Sequence, residues 1–441
     1  MFKNKGLIPV LIFCFLLLSP LINTGLSLKQ YTRFNEVLVI IAALFIFMAG
    51  VAKQQIGGLK MVDRWLALLG VWSVGSILWG YLYLNVIFSW QDFYLILNIF
   101  LFALYFRAGT YFTAESAQNR FYWKIIGLAI IVLNLLSISQ LFPWGFKHVL
   151  PLYTPARYMA LLSVTFEYVG TIGRIQGIIG SPTSFSIIMV ILISMITSWL
   201  IFKPGKNHMI VFVFMLSITT LILTFSRSGA LAFIVSQLFL FCVAWKKHRS
   251  ALKKLFLVYL LMVIISVFYL TIIEKTFHFS GLRGFRLGLL WGQSYQGRGD
   301  VGNRVFLWMK GIDKSMLSPV FGWGPANGSN KVATKKFLEN TETEFYAPHN
   351  EFINIFMQTG LIGLLLFLIL FVRIYLKASA LSKDQEDSHI LFMARGIQAV
   401  IISLVVFDFF DGFWFNSITP AILMMMIGSM YALDKNEMVK A

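Results

Sequence analysis

Long apolar stretches separated by short polar ones dominate this chain. A stretch of about 17–25 apolar residues can cross a hydrocarbon core of roughly 30 Å as a helix. The pattern predicts twelve such helices, at roughly residues 6–27, 36–52, 65–89, 93–112, 121–142, 183–202, 209–225, 229–245, 255–273, 350–372, 396–415 and 418–433. Lys3 and Lys5 precede the first segment as in a signal peptide, but no small-residue cleavage site follows, so we expect a retained helix.

The composition supports this interpretation. Hydrophobic residues make up 58% of the 441 positions and charged residues 13%, whereas soluble domains have roughly 45–50% apolar and about 25% charged residues. We therefore expect an all-α polytopic membrane protein with about twelve transmembrane helices and one large extracytoplasmic loop containing short helices. The expected regions are residues 1–142 with helices one to five, 143–273 with helices six to nine, 274–348 as the loop, and 349–441 with the last three helices.

Lys and Arg in the short loops predict the orientation. Most of them fall on one side, which the positive-inside rule assigns to the cytoplasm. The short loops of the other side carry only Lys29, Arg33, Lys147, Arg157, Arg174 and Arg227, and the long loop is left out because long translocated segments escape the rule. Both termini are therefore predicted to be cytoplasmic and the long loop extracytoplasmic. Because basic loops that face anionic lipids explain the net charge of +18, membrane lipids are expected partners and nucleic acid is not.

Cysteine and histidine give no indication of a cofactor or a metal. Cys14 and Cys242 lie inside predicted helices, which argues against a disulfide framework or a thiolate site. The six histidines are dispersed and lack metal-ligand spacing.

Two arginine motifs lie on the outer side. A Gly-Arg-Ile-Gln-Gly motif places Arg174 where irregular backbone re-enters the membrane, which is tolerated against protein or a wet cavity. Arg174 either lines that cavity or extends toward lipid headgroups. A Ser-Arg-Ser-Gly motif places Arg227 in a tight turn, with Ser228 and Gly229 predicted to open the next helix. Its amides would favour a phosphate, although a turn with a helix cap is an equally simple interpretation.

The long loop and its end supply two further candidates. Residues 303–312 have apolar positions at helical spacing, which predicts an amphipathic helix over the membrane face. Arg304 on it either binds a ligand or solvates the polar face, and Trp308 can stack on a sugar or anchor at the interface. His349 stands where the loop meets the tenth helix. Histidine can accept a proton near neutral pH, but taken alone His349 is more simply explained as a residue that begins a helix.

The order of these motifs resembles the bacterial O-antigen ligase and polymerase superfamily. The resemblance covers about residues 170–365 and the twelve-helix layout. It rests on Gly-Arg-Ile-Gln-Gly, Ser-Arg-Ser-Gly, Arg304 with Trp308, Gly322-Trp323-Gly324, His349-Asn350-Glu351-Phe352 and Gly360-Leu361-Ile362-Gly363, in that order. Each motif is short, and their order and common side carry the specificity.

The resemblance implies inverting, metal-independent glycosyl transfer from an undecaprenyl diphosphate-linked oligosaccharide, at the outer face of the bacterial cytoplasmic (inner) membrane. It implies His349 as the catalytic base, Arg227 and Arg304 as catalytic arginines, and Arg174, Asn350 and Trp308 as further residues that bind the diphosphate or glycan. Its members either polymerise repeat units or, as ligases, transfer the glycan to lipid A-core. A chain-length regulator and a flippase are further candidate partners.

Two other functions remain open from the sequence. A transporter or flippase of lipid-linked oligosaccharides would show repeated halves and midplane charges, and neither is apparent here. A non-catalytic scaffold for polysaccharide assembly would tolerate replacement of His349 and Arg227. We favour the transferase, and among transferases the polymerase, although no residue distinguishes it from the ligase.

Overall fold

A computed structural model describes residues 7–18, 27–28, 32–33, 60–86, 90–112, 119–139, 175, 181–203, 208–224, 226–277, 300–325, 348–383, 386–412 and 418–434. Apart from a short antiparallel hairpin, β1 (Ser27–Leu28) with β2 (Thr32–Arg33), the elements of this part are helical. The helices are α1 (Leu7–Leu18), α2 (Met61–Tyr83), α3 (Trp90–Thr110), α4 (Arg120–Ser139), α5 (Pro182–Phe202), α6 (His208–Leu223), α7 (Arg227–Ala244), α8 (Arg249–Phe277), α9 (Asp300–Met316), α10 (Glu351–Ser382), α11 (Ser388–Phe410) and α12 (Ile418–Ala432).

The helices confirm a polytopic membrane protein. Of those described, α2, α4, α5, α7, α10 and α11 are long and apolar enough to cross a membrane. The predicted segment at 36–52 lies outside the described residues, and a count of twelve spans is not confirmed. Helix α9 lies within the predicted loop, where it extends the expected amphipathic helix to residues 300–316.

Helix α5 is the centre of the bundle. Apolar residues cover all its sides and nearly all of them are buried, as expected for a helix surrounded by other helices. Ser186 Oγ donates a hydrogen bond to Ser226 Oγ at the start of α7 (2.9 Å), and Ser194 Oγ donates to Ser236 Oγ further along (3.1 Å). These contacts show that α5 and α7 run parallel and begin at the same end of the bundle.

Helix α11 runs antiparallel to α5. Ser198 Oγ donates to the carbonyl of Phe392, near the start of α11 (2.7 Å). At about 1.5 Å rise per residue, α5 begins at Pro182 about 24 Å from this contact, and α11 ends at Phe410 about 27 Å from it. The end of α11 therefore lies level with the starts of α5 and α7.

Helix α10 also begins at this level, because the side chain of Asn350 contacts the backbone of Phe409 (3.0 Å). We call this end of the bundle, where α5, α7 and α10 begin and α11 ends, the site end. The opposite end, where Lys203 approaches His389, we call the basic end. Most of the described Lys and Arg cluster there.

A break in α10 joins this helix to the segment after α9. Gly360 has φ 68° and ψ −173°, so the helical hydrogen-bond pattern is interrupted there. The carbonyl groups just before the break accept hydrogen bonds from other segments: Met357 from Trp323 N–H (2.9 Å), Gln358 from Gly324 N–H (2.9 Å), and Thr359 from Trp72 Nε1 (2.8 Å). Backbone freed inside a membrane protein is tolerated when neighbours satisfy it in this way. The two glycine motifs of the sequence thus dock against each other.

Candidate active site

His349 lies at the site end with a strained backbone and a carboxylate beside it. Its φ of 50° is in the left-handed region, which residues other than glycine rarely adopt. Such strain tends to occur at functional positions. Nδ1 lies 3.4 Å from Asp411 Oδ1, a long contact, and the side chain is 47% exposed against 14% for Asp411. This arrangement suits a base whose outer nitrogen faces a substrate while a carboxylate orients the ring.

Asn350 and Glu351 hold His349 against the end of α11. Asn350 is the N-cap of α10: its Oδ1 accepts from Ile353 N–H (3.1 Å), and its Nδ2 donates to Phe409 O (3.0 Å). Glu351 is buried, and a Cβ added to Gly412 would lie 2.1 Å from its Oε2. Because Asn350 is buried and both ends of its amide contact the protein, its geometry suits positioning of His349 better than ligand contact.

Arg304 and Trp308, one turn apart on α9, contact the last residues of α11. Arg304 Nη1 donates to the carbonyl of Phe410. The ring of Trp308 meets Phe409 edge-on, with centroids 5.5 Å apart. Phe409 contacts Asn350, and Phe410 directly precedes Asp411. Helix α9 therefore places Arg304 next to the pair formed by His349 and Asp411.

Arg227 is the first residue of α7 and is exposed at the site end. The helix begins there, two residues before the sequence predicted, because Ser226 is the N-cap and accepts from Gly229 N–H (3.2 Å). The helix-cap interpretation of the motif is therefore confirmed, and phosphate binding by Arg227 beside that helix's N-terminal amides stays a prediction.

Arg174 lies outside the described residues. Of its motif, Ile175 is described: it is fully buried, and its N–H donates to Leu223 O at the end of α6 (3.0 Å). This bond places Ile175 beside the end of α6, a few residues before the second arginine motif in the chain.

Sequence reasoning missed Asp411. The only signal was an acidic residue followed by glycine at the end of an apolar segment, which is common in ordinary loops. Within the described residues, no group of three or more His, Cys, Asp or Glu could hold a metal ion.

Comparison with known proteins places part of this chain in a described family. Residues 210–368 match the family model described as O-antigen ligase. Over 120 residues the chain is 25% identical to a Rickettsia conorii protein named as a candidate polysaccharide ligase. That match covers 26% of this chain and 29% of the relative. The resemblance to the O-antigen ligase and polymerase superfamily is thus confirmed for the part of the chain that carries Arg227, Arg304, Trp308, His349 and Asn350.

Proposed function

We propose that this protein is an inverting glycosyltransferase of surface-polysaccharide assembly, whose donor is an undecaprenyl diphosphate-linked oligosaccharide. The observation that carries the proposal is the His349–Asp411 pair, with Arg304 fixed to the adjacent carbonyl of Phe410. Metal-free transfer from a diphosphate needs a base for the acceptor hydroxyl and a cation for the leaving diphosphate, and these residues can supply both. The family match over residues 210–368 supports the same chemistry.

In the proposed reaction His349 removes the proton of the acceptor hydroxyl as its oxygen attacks the anomeric carbon. The bond from that carbon to the diphosphate oxygen breaks with inversion, and the electron pair leaves with the diphosphate. Arg227 and Arg304 bind the developing negative charge, because a guanidinium stays protonated and donates two hydrogen bonds at once. Arg174 is proposed to bind the same group, and Trp308 to contact the glycan. No metal is required in this scheme.

Asp411 and Asn350 are proposed as positioning residues. A carboxylate beside Nδ1 holds the imidazole in one orientation and stabilises its protonated form after proton transfer. Asn350 fixes the backbone of His349 by capping α10 while it contacts α11.

Two acceptors fit this chemistry. A second repeat unit on the carrier lipid would make the protein a polymerase, as favoured from the sequence. Lipid A-core would make it a ligase, which the description of the matched family favours. The surface glycan of a deletion strain distinguishes them: a single repeat on lipid A-core identifies a polymerase, and accumulated long carrier-linked chains identify a ligase.

The central test is turnover of purified His349→Asn with a carrier-linked donor and excess chelator. Asparagine tolerates positive φ, so this change removes the imidazole and keeps the backbone. We expect donor binding near that of the wild type and a rate lower by about 10²–10⁴. Normal turnover would exclude His349 as the base, and loss of wild-type activity on chelation would exclude the metal-free scheme.

Two further variants test the proposed roles of Asp411 and Arg304. Asp411→Asn should slow transfer less than His349→Asn, because it removes the carboxylate that orients the ring and keeps the imidazole that accepts the proton. Arg304→Lys should impair transfer despite the retained charge, since an ammonium lacks the planar fork. Lys310→Gln, which removes a charge from the same helix, is the matched control and should be active.

A further inference from the structure

A large cleft lies at the basic end, away from His349. It is about 950 Å³ in volume and lies between the end of α7, the turn into α8, and the start of α11. Its wall along α7 is apolar and includes Leu238, Phe241 and Trp245. Leu238 and Trp245 are 56% and 62% exposed, as are many large apolar side chains on the outward sides of the described helices, so an acyl chain can lie along this wall.

The mouth of the cleft is basic. Lys246, Lys247, His248 and Arg395 line it, against Glu386 as the one acidic residue among the described lining. Burial, and then the neighbouring charge of Lys247, lower the pKa of His248, so its ring adds a hydrogen-bonding group more than a charge. The excess of positive charge over a partly apolar wall favours an anionic amphiphile.

Arg395 contributes a guanidinium to the lining of the cleft. Its Nη1 donates to Gln398 Oε1 (2.9 Å). Its Nε is buried and has no hydrogen-bond partner among the described residues. Because Nε is buried away from the cleft, a phosphate there would instead meet the terminal Nη atoms of this guanidinium, which stays protonated.

We infer that this cleft binds an anionic phospholipid of the cytoplasmic leaflet, with its phosphate at Arg395 and Lys247 and an acyl chain along Leu238, Phe241 and Trp245. Basic sites between transmembrane helices on the cytoplasmic side suit such headgroups. The site is separate from the proposed reaction and would anchor the junction of α7, α8 and α11 in the membrane.

Native mass spectrometry of the full-length protein in detergent tests this inference. Phosphatidylglycerol should remain bound to the wild type, and phosphatidylcholine with the same acyl chains should not. Lys246→Gln/Lys247→Gln should weaken retention roughly thirtyfold, since each basic residue near an anionic lipid contributes about fivefold in affinity. Lys253→Gln, which removes an exposed charge from α8, is the control and should retain the lipid.

Arg395→Gln should lose the lipid as well. If that variant does not fold, the double lysine variant decides, because both its positions are exposed. Equal retention of phosphatidylcholine, or normal retention by the lysine variant, would overturn the inference. Full displacement of the lipid by excess inorganic phosphate would do the same, because it would show a simple anion site.

Discussion

The docking of the segment after α9 onto the break in α10 makes Gly360 a position that should not tolerate any side chain. A Cβ at Gly360 would lie 2.0 Å from the carbonyl oxygen of Val320 and 2.3 Å from its carbon. Both atoms belong to the backbone and cannot rotate away. The φ of 68° with ψ of −173° adds strain, because only glycine adopts this region readily. Gly360→Ala must therefore separate the two segments.

The energetic cost of that separation can be worked out from the hydrogen bonds that would break. Three backbone hydrogen bonds cross the junction: Trp323 N–H to Met357 O (2.9 Å), Gly324 N–H to Gln358 O (2.9 Å) and Leu361 N–H to Pro319 O (2.7 Å). Each contributes about 1 kcal/mol net, and the strain adds about 1–3 kcal/mol. The expected destabilisation of about 4–6 kcal/mol is comparable with the whole stability of many proteins, about 5–15 kcal/mol.

Thermal inactivation in one detergent, with limited proteolysis of residues 300–325, measures this effect. Gly360→Ala should denature at a clearly lower temperature, be cut faster in that region, and lose transfer activity because α9 no longer holds Arg304. Gly75→Ala is the matched control: no atom lies within 4 Å of its added Cβ, and alanine inside a helix should stabilise by roughly 0.5–1 kcal/mol. Equal inactivation temperatures for Gly360→Ala and the wild type would refute the docking argument.

Two further predictions concern stability. Burial lowers the pKa of Lys314 to about 8 from its ordinary value of 10.5. Between these two pH values the unfolded chain binds more protons than the folded one. The protein should therefore become more stable as pH rises from 8 to 10.5, by at most about 3 kcal/mol. Lys314→Met should lack this increment in thermal denaturation, and identical pH profiles for the two proteins would contradict it. Gly229→Ala places a Cβ 2.4 Å from Ser186 Oγ and should destabilise the α5–α7 contact. Adding Ser186→Gly should recover part of the loss, and additive effects in a double-mutant cycle would show that the two positions do not interact.

Hydropathy located the apolar helices because the bilayer requires continuous apolar runs. It was less accurate at their ends. Helix α10, predicted to end at 372, continues to Ser382, and α11, predicted from 396, begins at Ser388. Once a helix has formed, it continues through polar residues at little cost, so the apolar run marks the bilayer and not the helix end.

The candidate site, too, could be predicted from the sequence only in part. Arg227, Arg304 and His349 could be proposed from motif order and common sidedness. Asp411 could not, because its approach to His349 depends on how α11 ends beside the start of α10. The break at Gly360 could not be predicted either. A glycine within an apolar run does not by itself indicate a break, and the contact with Val320 that requires glycine there is visible only in the folded structure.

Helix α9 has two different faces, one against the protein and one apolar and exposed. One stripe, Arg304, Trp308, Gly311 and Ser315, faces the protein, and Gly311 packs closely against Ile353. The adjacent stripe, Val305, Met309, Ile312 and Met316, is exposed. An apolar stripe that faces outward is the reverse of a helix on a soluble protein, and it favours a position at the membrane interface. A carrier lipid presents its diphosphate at that depth. If the proposed function holds, we expect the apolar face to keep Arg304 at the level of the leaving group.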